Sequence, residues 1–346
     1  MFKIFISLKA FFLFMKRKKP EDSIVFYSQR NSCKPFLFPL IQEIVCKYNI
    51  NIYYLTSDIN DSILLYKNIN FTPYYIGNGF LLTLSFYFIK ARMMVMTMPD
   101  LNLFHLKKSI HPVHYLYIQH SLVSSHMVYR QGAFDHFDTI LCSGKHHILE
   151  TREWEKINNL PPKRLIKHGY IPLDSIINEH KDNSLLYKSV SKQLNVLIAP
   201  SWGKNGIIHQ GSQNLIYNLL LKNYFVTLRF HPHSEITSSK QILKLRNKYS
   251  KLKNFKFDDD KSVYDTLFIN DILITDWSGI ALEFSFGTEK PVIFIDTQKK
   301  INNKRYKELK YPPIEIQIRD KIGSILSFDK LSEIDLIIKN SLKKQE

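Results

Sequence analysis

Short β-branched apolar runs alternate along the chain with longer stretches of helical periodicity. The runs predict strands at 24–28, 50–55, 93–97, 113–119 and 139–143, and again at 195–199, 225–230, 272–275 and 292–295. Helical patterns lie between them at 39–47 and 146–158, then at 213–221, 238–249, 262–268 and 280–286. Residues 80–89 are also apolar, and Lys90 and Arg92 divide them from 93–98, which predicts a core helix followed by a core strand. Strands that are apolar throughout are covered on both faces, so the pattern predicts parallel sheets under layers of helices. The polar stretch 178–193 separates the two series and is the expected linker. The fold class is therefore α/β, with two Rossmann-like domains at 20–185 and 186–346 whose parallel sheets face a central cleft.

Unusual polar residues follow the apolar runs. Gln119-His120-Ser121, the segment 169–174, the segment 200–204, His231-Pro232-His233 and Asp276-Trp277-Ser278 all stand at predicted strand ends. Open parallel sheets bind ligands outside the carboxyl ends of their strands, so clusters from both halves are expected to converge. The richest is 271–296, which reads as strand, polar turn, helix, strand. It puts Ser278 and Gly279 at a helix N-terminus, where free backbone N–H groups and the helix dipole favour a phosphate.

Composition narrows the partners. The 45% hydrophobic and 13% aromatic content excludes disorder, and 346 residues suit two domains. The net charge of +17 favours anionic partners, but no arginine-rich arm or basic helix stands out, so nucleic acid is not expected. Cys33, Cys46 and Cys142 lack metal-binding spacing and imply a reducing compartment. The apolar residues 1–15, followed by the basic cluster 16–19, are too short to span a bilayer and lack signal-peptide order. Residues 1–19 fit either an interfacial segment on an anionic membrane or an ordinary first helix. The first alternative implies a cytoplasmic protein held peripherally at the inner face of the cell membrane.

The motifs together resemble the CDP-glycerol glycerophosphotransferase family. Its strand-Thr-Asp-Tyr-Ser-Ser signature is similar to Thr275-Asp276-Trp277-Ser278-Gly279, followed by Glu283-Phe284 and Lys290-Pro291. Its Arg-x-His-Pro is similar to Arg229-Phe230-His231-Pro232, and its Ala-Pro-Thr-Trp to Ala199-Pro200-Ser201-Trp202. Gly169 to Asp174 resembles its Gly-Tyr-Pro-x-Asp element with one added residue, and His120-Ser121 its His-Gly-Thr element. Ser121 and Gly279 depart from the family pattern, which has glycine and serine there. The segment 120–136 looks like the branch found in capsule and other surface-polysaccharide loci. The likeness spans about 113–297.

The resemblance implies a GT-B fold and transfer of glycerol phosphate, or a related polyol phosphate, from a CDP-linked donor to a glycan or lipid-linked polymer acceptor, with release of CMP. His120 is the implied general base, suited by an imidazole pKa of about 6.5. His231 is implied to stabilise the leaving nucleotide. Ser201, Arg229, Thr275, Ser278 and Gly279 are the implied donor ligands, and Glu283 the ribose ligand. Asp276 belongs to the same donor set, although a carboxylate repels a diphosphate and also fits a turn or helix cap. Ser121, Ser125, His126 and Arg130 are the expected acceptor side, and an ordinary solvated loop explains them nearly as well. His231 and His233 find no third ligand at recognisable spacing, so neither metal nor cofactor is expected beyond the substrate donor. Two rivals are a GT-B glycosyltransferase using a nucleotide sugar and a non-enzymatic polyanion-binding protein.

Overall fold

The computed structural model describes residues 2–104, 106–182, 193–259 and 264–344. Two compact units are present, one formed by Met1–Pro172 with Asn302–Tyr311, the other by Leu173–Ile301 with Pro312–Glu346. The expected boundary at 185/186, most of the expected linker and the first two residues of the expected 262–268 helix lie outside the described residues. The division falls between Pro172 and Leu173, in the first turn of the helix Ile171–Asp182, because the rest of that helix packs into the second unit. Its Ile176 meets the helix Ile280–Thr288 so closely that a Cβ on Gly287 would stand 2.3 Å from the isoleucine Cγ2.

The first unit holds seven parallel strands: β1 (Ile24–Ser28), β2 (Ile52–Thr56), β3 (Phe71–Tyr75), β4 (Met93–Met96), β5 (His114–Ile118), β6 (Thr139–Cys142) and β7 (Arg164–Lys167). Their order is β3-β2-β1-β4-β5-β6-β7. Both faces are apolar, as parallel sheets require. Along β5, Tyr115 and Tyr117 enter one core while Leu116 and Ile118 enter the other. The segment Asn302–Tyr311 also belongs here, with the Asn302 and Asn303 N–H groups donating to the Met127 carbonyl.

The second unit holds β8 (Asn195–Ile198), β9 (Phe225–Leu228), β10 (Phe255–Phe257), β11 (Ile272–Thr275), β12 (Val292–Asp296) and β13 (Gly323–Ser327), all parallel. Their order, β10-β9-β8-β11-β12-β13, reverses direction between β8 and β11. Val196, Ile198, Ile272 and Ile274 fill one face, and Leu197, Leu273, Val292 and Phe294 the other.

The strands absent from the sequence reading are β3, β7, β10 and β13, and all four are sheet edges. Each is partly exposed, and β3 contains Pro73, which an edge tolerates because its N–H need not enter a ladder. The helix expected from 39 begins earlier, at Lys34, and carries Pro39 inside it. Residues 80–88 form the expected helix and 93–96 the expected strand.

The first helix, Phe2–Met15, packs on β3 and on the helix Phe80–Phe88. Ala10 and Phe14 are buried, whereas Ile4, Phe5, Phe12 and Leu13 are exposed. Arg17 locks its end: Nη1 donates to the Phe14 carbonyl at 2.8 Å, Nη2 to the Lys90 carbonyl, and the guanidinium lies 3.9 Å over Phe14. Among the described residues, no helix is long and apolar enough to cross a membrane.

Candidate active site

In the second unit the reversal of strand order brings the ends of β8 and β11 side by side, which is where open α/β sheets bind ligands. Asp276 ties the two ends together. Its Oδ1 accepts from the N–H groups of Ser201 and Trp277, both at 2.7 Å, and its Oδ2 from that of Ile207 at 3.0 Å. The carboxylate is 1% exposed, so it holds the 201–207 loop in place and offers no charge to a ligand. Gly206 gives it room, since a Cβ there would stand 2.9 Å from Oδ2.

Beyond this anchor lie Ser278 and Gly279, both partly exposed, at the mouth of the helix Ile280–Thr288. Gly279 caps that helix without a side-chain hydrogen bond. Glu283 stands in the first turn, partly buried, close enough to Tyr264 to help push its phenol pKa up. Thr275 points inward: its hydroxyl donates to the Ala199 carbonyl at 2.6 Å and is fully buried, which joins β11 to β8 rather than presenting a ligand. Ser201 is buried as well.

His231 follows β9 through the two residues Arg229 and Phe230. Its Nδ1 accepts the backbone N–H of His233 at 3.0 Å. The neutral ring then carries its proton on Nε2, which makes that nitrogen a hydrogen-bond donor. Arg229 is engaged elsewhere, with Nε donating to the buried Asp258 carboxylate at 2.5 Å. Two cations that the sequence reading did not single out stand nearby. The Lys300 ammonium lies 3.6 Å from the Trp202 ring centroid, and the Arg319 guanidinium 4.0 Å from that of Trp277. Trp202 also meets His233 edge-on at 4.6 Å.

In the first unit His120 stands two residues beyond β5, within a ring of aromatic groups. The Tyr117 hydroxyl is 2.8 Å from its Nδ1 and the Tyr129 hydroxyl 3.1 Å from its Nε2. Phe36 meets the ring edge-on at 6.2 Å. Tyr170, from the 169–174 motif, donates to the His120 carbonyl at 3.4 Å, so two motifs far apart in sequence meet here. Gly169 permits this turn with φ at 87°, a conformation that other residues rarely adopt. Although part of His120 is exposed, enclosure of its ring dominates its titration and pushes its pKa down to about 4; a hydrogen bond to the Thr97 backbone acts weakly the other way.

The expected acceptor residues divide. The Ser125 hydroxyl accepts from Gln119 Nε2 at 2.9 Å, and its N–H donates to Glu150 at 2.9 Å. His126 is buried 3.5 Å from Glu150, with its ring 5.1 Å from that of Trp154. The Ser125 N–H and the His126 ring pin their loop to Glu150 of the helix Lys145–Ile157, and both side chains are buried away from a solvent-borne acceptor. Ser121 is partly exposed, and Arg130 is exposed with its guanidinium over Phe104. Tyr117 carries no signal in the sequence, since within its strand it reads as a core aromatic, whereas Tyr129 lies in the polar segment after His120 and Tyr170 in the 169–174 motif. Among the described residues no three metal-ligating side chains converge.

Residues 86–311, more than half of the chain, match the family described as CDP-Glycerol:Poly(glycerophosphate) glycerophosphotransferase. The chain belongs to this family. It is thus an enzyme of the glycerophosphotransferase type. Solved structures agree on the fold. The wall teichoic acid polymerase TagF, as a histidine-to-asparagine variant soaked with CDPG, is 15% identical with a TM-score of 0.54, covering 98% of this chain and 94% of its own. The UDP-GlcNAc 2-epimerase of Methanocaldococcus jannaschii, with UDP-GlcNAc and UDP, is 11% identical with a TM-score of 0.59, covering 94% and 93%. At these identities the likeness extends to the two-domain GT-B architecture alone. No curated protein sequence matches the chain.

Proposed function

We propose that this glycerophosphotransferase moves glycerol phosphate, or a related polyol phosphate, from a CDP-linked donor to a hydroxyl of a glycan or lipid-linked polymer, in capsule or teichoic-acid-like synthesis. The family match across 86–311 carries the reading. An acceptor oxygen attacks the phosphorus next to glycerol, the new O–P bond forms, and the bond from that phosphorus to the CMP oxygen breaks. His120 takes the acceptor proton; a ring that is neutral at pH 7 is in the form that can do so. The charge on departing CMP is met by His231 Nε2–H, by Ser278 and by the N–H groups at the helix mouth. Glu283 accepts hydrogen bonds from the ribose. The reaction as written needs no metal or further cofactor.

The same reading puts the enzyme in the cytoplasm, peripherally at the inner face of the cell membrane. The exposed Ile4, Phe5, Phe12 and Leu13, with exposed Lys3, Lys9 and Lys16 on the same helix and just past its end, support an anionic membrane surface as partner. Purified enzyme with CDP-glycerol and a poly(glycerol phosphate) primer should release CMP, and His120→Ala should remove that release while the protein still folds and unfolds cooperatively. Full turnover in the variant would exclude His120 as the base. A nucleotide sugar consumed in place of CDP-glycerol would exclude the donor.

A further inference from the structure

Lys300 lies four residues past β12, in the loop on the carboxyl side of the second sheet. Its ammonium rests on the face of Trp202, a cation–π contact at 3.6 Å. Yet it makes no hydrogen bond or ion pair among the described residues. The one acidic group acting on it is Asp276, whose oxygens already receive three backbone N–H groups. A desolvated cation without a paired anion costs free energy, which an arriving anionic ligand would relieve. The surroundings fit one. Trp202 carries His231 and His233 on its periphery, at 6.3 and 4.6 Å between ring centroids, and Arg319 also lies within the field of Asp276. Lys300, His231 and His233 therefore gather around Trp202 beside the anchored 201–207 loop, while Arg319 stacks on Trp277 and pairs with Asp296 at 3.3 Å.

We infer that Lys300 is a further phosphate ligand of the donor site, its ammonium held on the Trp202 indole to pair with the phosphate of a cytidine nucleotide. The inference rests on the donor proposed above. It also predicts a proton linkage. Burial pushes the Lys300 pKa down to about 7, with Asp276 opposing. An arriving phosphate restores the charge, so binding takes up a proton above that pH, and affinity falls as the pH rises past 7.

Calorimetry with CMP at about pH 7.5, in two buffers of different ionisation enthalpy, tests this. At that pH the phosphate is already largely a dianion. The wild type should bind CMP with proton uptake. Lys300→Met should bind about 10- to 100-fold more weakly, the loss expected for one charge-assisted hydrogen bond, and without that uptake. Lys300→Arg should keep most of the affinity and lose the uptake, which separates Lys300 from His231, His233 and Asp276, since those groups remain. Equal CMP affinity in wild type and Lys300→Met would overturn the lysine's role alone. Failure of the wild type to bind either CMP or CDP-glycerol would overturn both this role and the proposed donor.

Discussion

The Tyr117 hydroxyl lies 2.8 Å from Nδ1 of His120, three residues further along the same chain segment. Tyr117 is fully buried, wedged against Phe134 and Phe137 at 4.9 and 5.1 Å, and burial raises its pKa well above the ordinary phenol range. A phenol that stays protonated and cannot move is a fixed partner for the imidazole. Tyr117→Phe keeps the packing and removes that partner. The rate of CMP release is expected to fall about 10- to 100-fold, within the range that acid–base positioning commands, while the KM for CDP-glycerol stays unchanged. A wild-type rate would show that the ring needs no such hold.

Buried histidines set the acid sensitivity. His120 titrates near 4, and burial holds His147 well below the ordinary imidazole value. The folded state therefore binds fewer protons than the unfolded state between about pH 4 and 6.5. Their contribution to stability is fully present above about 6.5 and drains away as the pH falls through that window. The urea midpoint should drop steadily from pH 7 to 4, and His147→Gln should flatten the drop. A midpoint independent of pH in the wild type would contradict the burial of both rings.

Asp276→Asn tests the anchor of the donor loop. An amide can accept on one side only, so at least one of the three N–H groups now held loses its acceptor. A buried unsatisfied donor costs about 1–3 kcal/mol. Thermal denaturation should record a loss of that order, and the melting shift induced by CDP-glycerol should shrink with it. Retention of the full ligand-induced shift would mean that the 201–207 loop needs no anchoring.

The exposed aromatic face of the first helix makes a separate prediction. Phe5→Glu with Phe12→Glu leaves the inward Ala10 and Phe14 in place, so the fold should persist. Sedimentation with vesicles rich in phosphatidylglycerol should fall about tenfold, because two apolar anchors are replaced by charges repelled from that surface. Equal sedimentation of wild type and variant would leave this face without a membrane role.

The central strands, the order of the motifs and the turn at 276–279 are legible in the amino-acid pattern, because a strand buried on both faces must be apolar along its whole length and its polar ending then stands out. Edge strands β3, β7, β10 and β13 escaped for the converse reason: one flank meets solvent, so mixed residues serve as well there. Folding sets what each polar side chain faces. It turned Thr275 and Asp276 inward to the β8–β11 junction, drew Ser125 and His126 into contact with Gln119 and Glu150, and gave Arg229 to Asp258. It also assembled Tyr117, Tyr129 and Tyr170 around His120, and set Lys300 on Trp202. Hydrophobic periodicity records which face of an element is covered. The partner of a hydrogen bond depends on distances of a few ångströms between segments far apart in the chain, and only packing sets those.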